Sequence, residues 1–128
     1  MKLLLLLLFT LPTIAFSQSD FETKKNVHPL AIFTNPEFVG GVKVLDKYIS
    51  DNFELNKDEY YLNKNKEIIV KFFIDKNGAI QNAKILKGLT PELNKKALAV
   101  INSMPNWTAG TQNGIPTKMM YAYSLKIE

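Results

Sequence analysis

Glu67-Ile68-Ile69-Val70-Lys71-Phe72-Phe73-Ile74-Asp75-Lys76-Asn77-Gly78-Ala79-Ile80 is a strand, a tight turn and the start of a second strand. β-Branched and aromatic residues crowd Ile68 to Ile74, and such side chains fit a pleated, half-buried surface. Asp75-Lys76-Asn77-Gly78 reads as a hairpin turn, because Asn and Gly tolerate the positive φ that such turns demand. The returning strand runs from Ala79 to Lys87. Its apolar phase slips between Ile80 and the pair Ala83 and Ile85, which predicts a β-bulge.

Downstream, Thr90-Pro91-Glu92 opens a helix with an N-cap hydroxyl, a proline at the first helical position and an acid in the first turn. Leu93, Ala97, Val100, Ile101 and Met104 form its buried stripe, and Pro105 stops it. The last stretch alternates cleanly: Met119, Tyr121, Tyr123, Leu125 and Ile127 against Lys118, Met120, Ala122, Ser124 and Lys126, a strand with one covered face. Upstream, Gly40-Gly41 open a second amphipathic helix in which Val42, Leu45, Ile49 and Phe53 share a face with Tyr48, while Lys43, Asp46, Lys47, Ser50 and Asp51 point away. Residues 54–66, dense in Asn, Lys, Asp and Glu around Tyr60, Tyr61 and Leu62, read as a surface connection pinned by its aromatics.

The order α-β-β-α-β predicts an α+β two-layer sandwich, a three-stranded antiparallel sheet with two helices on one face. A helical crossover between the second and third strands leaves room for the first between them, giving the order 2-1-3. The C-terminal strand is then an edge.

At the other end, Lys2 supplies a positive n-region, Leu3 to Leu8 begin an apolar run and Ala15-Phe16-Ser17 offer a small-residue cleavage site, so residues 1–17 are expected to be a signal peptide. The run is broken by Thr10, Pro12 and Thr13 and falls short of the roughly 20 residues that cross a bilayer. The expected destination is the periplasm, with an inner-membrane anchor by an uncleaved leader as the alternative. Residues 18–31 are expected to be a flexible or extended segment before a domain at 32–128. From Val27 to Phe38 the composition turns apolar while Pro29 and Pro36 forbid a helix, so this stretch is expected to lie extended and cover a surface.

All sixteen basic residues are lysines, and cysteine is absent. The first excludes bidentate guanidinium recognition, and the second excludes disulfides, thiolate metal sites and a lipidated cysteine. Without Lys2, fifteen lysines face twelve acids, a mild +3 that points to a solvated surface and not to a nucleic-acid footprint. His28 is the only histidine and has no second ligand at metal spacing, so neither metal nor cofactor is expected. Asp58 and Glu59 sit in a charged stretch, Ser50, Ser103 and Ser124 lack an activating base, and the glycines are too sparse for a phosphate cradle. No catalytic site and no small-molecule substrate are expected.

Pro105-Asn106-Trp107-Thr108-Ala109-Gly110-Thr111-Gln112-Asn113-Gly114-Ile115-Pro116 carries the largest apolar side chain of the sequence between turn-forming glycines. This block resembles the P-x-W-x-P-G-x-x-x-G-x-P segment of the TonB C-terminal domain family. Pro36-Glu37-Phe38-Val39-Gly40-Gly41 resembles that family's P-x-F-x-G-G opening, and the Asn77-Gly78 hairpin and Leu86-Lys87-Gly88-Leu89-Thr90-Pro91-Glu92-Leu93 also fit its pattern. The likeness covers residue 32 to the C-terminus. It departs from the family where Leu93-Asn94-Lys95-Lys96-Ala97 replaces an acidic helix start, where Ala109 replaces proline, and where the tyrosine-proline step and glycine are missing between Asn52 and Glu67; neither a long Pro-rich span nor a motor-coupling anchor is expected.

The resemblance implies a non-catalytic binding module, accessory to TonB-dependent transport. Its last strand, Lys118, Met119, Met120, Tyr121, Ala122, Tyr123, Ser124, Leu125 and Lys126, would pair with an extended peptide such as the TonB box of an outer-membrane receptor, or with another envelope protein. Pro36, Phe38, Gly40, Gly41, Asn77, Gly78, Pro105, Trp107, Gly110, Gly114 and Pro116 would be structural. The alternative is a self-associating envelope component, a homodimer joined through the same edge or through an apolar patch of Ile69, Phe73, Met120 and Ala122. A third possibility is that the segment from Pro29 to Phe33 caps the edge or the patch.

Overall fold

The computed structural model describes residues 30–128, so the expected leader at 1–17, His28 and most of the segment 18–31 lie outside the described residues. In chain order the elements are β1 (Phe33–Thr34), α1 (Val42–Asn52), α2 (Lys57–Asn63), β2 (Glu67–Ile74), β3 (Ile80–Lys87), α3 (Pro91–Asn102), β4 (Thr111–Gln112), β5 (Ile115–Pro116) and β6 (Met119–Lys126). The main sheet is antiparallel in the order β3-β2-β6, which is the 2-1-3 order of the sequence pattern. β6 stands at its edge.

β2 sits centrally and alternates without a break, with Ile68, Val70, Phe72 and Ile74 buried. Against them pack Leu45 and Ile49 of α1 and Leu93, Ala97, Val100 and Ile101 of α3, with Leu125 and Ile127 closing the β6 end. Removing a fully buried aromatic such as Phe72 costs about 3–5 kcal/mol, from lost transfer energy plus the cavity left behind. Thr90 caps α3 by accepting from the Leu93 N–H at 3.2 Å, and Pro91 takes the first helical position. The turn after β2 takes its single positive φ at Gly78, +83°, while the Asp75 carboxylate accepts from the Asn77 and Ala79 N–H groups. The predicted bulge is present: the register slips between Lys71 and Phe73, opposite Asn82 at φ +53°.

Four expectations need correction. Residues 54–66 contain a helix, α2, held by a reciprocal cap in which Asn56 accepts from the Glu59 N–H and Glu59 accepts from the Asn56 N–H. Asn in place of the usual Ser or Thr, and the shortness of the apolar pattern, hid that start. Val42, the first residue of α1, does not join its buried face; it is 63% exposed. Asp46 does not point away, since it accepts from the Tyr123 hydroxyl at 2.8 Å.

The apolar stretch before α1 does not blanket the domain: Leu30, Ile32 and Phe33 are exposed, and only Pro36 and Phe38 are buried. Its described part caps neither the β6 edge nor the patch around Phe73. Instead β1 pairs with β4 in a small second sheet, β1-β4-β5, where backbone hydrogen bonding rather than apolar cover fixes the segment. That sheet adds to the two-layer sandwich without altering it.

Candidate functional site

The open flank of β6 follows from hydrogen-bond parity. Ile127 donates its N–H to the Lys66 carbonyl at 2.9 Å, and the β2–β6 register runs unbroken from Glu67 opposite Lys126 to Ile74 opposite Met119. In an antiparallel pair bonded and non-bonded positions alternate, so Met119, Tyr121, Tyr123, Leu125 and Ile127 bond to β2. The Asp75 N–H, donated to the Ala79 carbonyl at 3.0 Å, fixes the complementary parity on the β3 side. Met120, Ala122, Ser124 and Lys126 therefore turn their N–H and C=O groups to the free side. No described strand pairs there.

Beside that flank runs a groove of about 670 Å³ between β6 and α1. Its walls are Asp46, Ile49, Ser50 and Phe53 of the α1 region, Leu55, and the chain from Tyr123 to Glu128. Ile49 and Phe53, four residues apart on one side of α1, line it together with Leu125 and Ile127, and Asp46, Ser50, Lys126 and Glu128 make the rest of its lining polar. Tyr123 closes one end through its bond to Asp46. Burial first, and then the Asp46 hydrogen bond and charge, push the phenol well above the ordinary tyrosine range, so the hydroxyl stays a donor.

The candidate residues divide by face. Tyr121, Tyr123 and Leu125 look toward the helices, with Leu125 buried. Met120, 56% exposed, lies with Ala122, Ser124 and Lys126 on the opposite, open face of the sheet. Ser124 donates to Glu67 at 2.5 Å, and the Lys118 ammonium stands 5.0 Å from the Phe73 ring centre.

Most of the motif residues gather at the other end of β6, around Trp107. The indole is 4% exposed and packs edge-on against Phe38, Phe72 and Tyr121 at 4.9–5.6 Å between ring centres. Its N–H finds no hydrogen-bonding partner among the described residues. Gly78 seats the hairpin turn on this block: Trp107 donates its N–H to the Gly78 carbonyl at 2.7 Å, and a Cβ on Gly78 would stand 1.8 Å from the Trp107 oxygen. Pro36 and Phe38 reach it through reciprocal backbone bonds between Glu37 and Thr108, at 3.0 and 2.8 Å. Gly110 leaves room for Met119 and the Thr34 carbonyl, and Gly40 and Gly41 lead into α1 at positive φ. Asn113 and Gly114, both at positive φ, turn the β4–β5 hairpin, placing Pro116 opposite Thr111; Pro105 is exposed. This block anchors Met119 and Tyr121, leaving the flank from Ala122 onward to the groove.

Sequence reading missed Asp46, Ser50 and Leu55 as groove walls. Asp46 stands three residues before Ile49 and so borders the same helix face, the one signal available. Among the described residues no cluster of three metal-ligating side chains occurs, and no helix is long and apolar enough to cross a membrane.

Residues 61–127 match the family model of the Gram-negative bacterial TonB protein C-terminal. Among solved structures, an NMR solution structure of the Helicobacter pylori TonB C-terminal domain is 26% identical, covers 67% of this chain and 95% of its own, and superposes with a TM-score of 0.43. A longer stretch of the same Helicobacter pylori domain is also 26% identical, covering 66% of this chain and 79% of its own at a TM-score of 0.40. No curated protein matches the chain. With more than half its length inside the family model, the chain belongs to the TonB C-terminal family, non-catalytic interaction domains of the Gram-negative envelope that serve TonB-dependent transport.

Proposed function

We propose that the chain is a periplasmic binding module whose β6 edge pairs with an extended peptide, the TonB box of an outer-membrane receptor being the leading candidate. One observation carries this reading: β6 is bonded on one flank only, and its free flank borders a groove lined by both polar and apolar side chains. Strand addition draws affinity from main-chain hydrogen bonds and selectivity from alternate side chains. Here every second side chain of the added strand would face the groove, toward the partly exposed Phe53 and Leu55 and the polar Asp46 and Ser50. Five or six new bonds at about 1 kcal/mol net each, less the cost of ordering the peptide, give binding on the order of micromolar. Lys118 and Lys126 discourage indiscriminate edge pairing and favour a segment carrying acids.

The test is residue-resolved amide exchange with and without a receptor N-terminal peptide. Free protein should show slow exchange at Tyr121, Tyr123 and Leu125 and fast exchange at Met120, Ala122 and Ser124. Peptide should then slow the second set. Unchanged exchange at millimolar peptide would remove the proposal. The same open flank also supports a second reading, self-association edge to edge, for which sedimentation should show a concentration-dependent dimer.

A further inference from the structure

The main sheet has a second face that the helices do not cover. Glu67, Ile69, Lys71 and Phe73 of β2 point to it, since their neighbours Ile68, Val70, Phe72 and Ile74 are buried on the helix side. Register adds Gln81, Lys84 and Lys87 from β3 and Met120, Ala122, Ser124 and Lys126 from β6. Lys118, leaning over Phe73, completes it. Glu67 is the only acid in the three strands. It is already engaged, accepting from Ser124 at 2.5 Å and from Lys87 at 3.4 Å, and these contacts hold its carboxyl below the ordinary range.

Lys71 and Lys84 are direct cross-strand partners. Like charges in that position oppose strand pairing, and neither ammonium makes a salt bridge among the described residues. Lys71 is only half-exposed, and its ammonium stands over the Phe73 ring, 5.5 Å from the ring centre. The face thus combines apolar side chains (Ile69, Phe73, Met120, Ala122) with five lysines, of which only Lys87 has a carboxylate partner, Glu67, among the described residues.

From this arrangement we infer that the open sheet face is a docking surface for an anionic phospholipid bilayer, with lysines 71, 84, 87, 118 and 126 set against headgroup phosphates and Met120 and Phe73 against the lipid interface. This surface shares Lys118 and Lys126 with the β6 edge but uses none of that strand's free backbone groups. Charge decides against a second copy of the chain, since stacking two such faces sets lysines against lysines. Layout decides against a single acidic segment. The lysines occupy all three strands, spaced about 4.8 Å apart, and Lys118, just before β6, stands some 27 Å from Lys126 at its end at about 3.4 Å per residue, whereas an extended peptide lays down one row of side chains. A planar array of phosphates meets the whole set at once.

The experiment is co-sedimentation of the full chain with vesicles of phosphatidylglycerol in phosphatidylcholine, against phosphatidylcholine alone, so that any contribution of the apolar N-terminal run appears in both. The expected result is selective binding to the anionic vesicles that weakens as salt screens the charges. Lys71→Gln/Lys84→Gln should weaken that selective part by about fivefold per lysine, and Lys118→Gln/Lys126→Gln by as much. Lys43→Gln/Lys47→Gln, the same charge change on α1, should leave it intact. Removing the Lys71–Lys84 repulsion should not lower the melting temperature, which keeps the first variant interpretable. Equal binding to neutral and anionic vesicles overturns the inference, as does an equal loss in the α1 variant. So does binding to polyglutamate with no binding to vesicles, which would make an acidic polypeptide the occupant.

Discussion

Replacing Ala122 by proline separates the proposed recognition from the stability of the fold. Ala122 sits mid-strand with its N–H and C=O on the free flank, between Tyr121 and Tyr123, which carry the bonds to β2. Proline deletes that N–H and places its ring where an incoming carbonyl must approach, so at least two docking bonds are lost. At about 1 kcal/mol net each this is some 2 kcal/mol, roughly a thirtyfold weaker peptide complex. No bond of the main sheet is removed, and edge strands are where sheets tolerate proline. The melting temperature should therefore move by no more than the roughly 4–8 °C that 1 kcal/mol shifts in a domain of this size. Ala122→Ser, which keeps the N–H, should bind peptide like the parent. Calorimetric titration reads the affinity and thermal unfolding reads the fold. If Ala122→Pro binds peptide as well as Ala122→Ser does, recognition does not run through this flank; if it unfolds the domain, the parity assigned to β6 is wrong.

Gly78→Ala and Gly114→Ala place the same methyl at similar positive φ, +83° and +79°, but only the first meets backbone, with the Trp107 oxygen 1.8 Å away and nothing within 4 Å of the second. Denaturant unfolding should give about 1 kcal/mol for Gly114→Ala and at least about 3 kcal/mol for Gly78→Ala; equal losses would contradict the docking of the turn on Trp107. The Lys96 ammonium, at 2.7 Å, and the Asn56 N–H hold the Glu59 carboxyl below its ordinary 4.5, so the stabilisation is complete above that pH and is lost as pH falls through the lower folded-state value. The gap in melting temperature between parent and Glu59→Gln should close on acidification; a constant gap would show that the ion pair is not its source. Asp46→Ala should bring the Tyr123 titration down toward the ordinary 10.0 while leaving the part due to burial, read from the tyrosine ring carbons by NMR. In the parent, the raised phenol confers stability that is whole below pH 10.0 and declines above it, and an unmoved titration in Asp46→Ala would show that burial acts alone.

What the sequence by itself determined is whatever rests on periodicity and local caps. The alternation through β2 and β6, the Asp75 to Gly78 turn, the slip near Ala83 and the Thr90-Pro91 helix start each involve residues close along the chain, and together they imply an antiparallel sheet with β6 at its edge. Spaced motifs around Phe38, Gly78 and Trp107 pointed to the family. α2 escaped because seven residues give too little pattern, and its cap uses Asn56, a residue equally at home in a turn. Only the tertiary structure decided where the unlike partners meet. Asp46 and Tyr123 are 77 positions apart, as are Thr34 and Thr111, and no local preference encodes such pairs. The groove, the small second sheet that ties down the N-terminal stretch, and the crowding of lysines on one sheet face all come from long-range packing. There the burial of Phe72 and its neighbours fixes the register, and the polar side chains must take whatever neighbours that register assigns them.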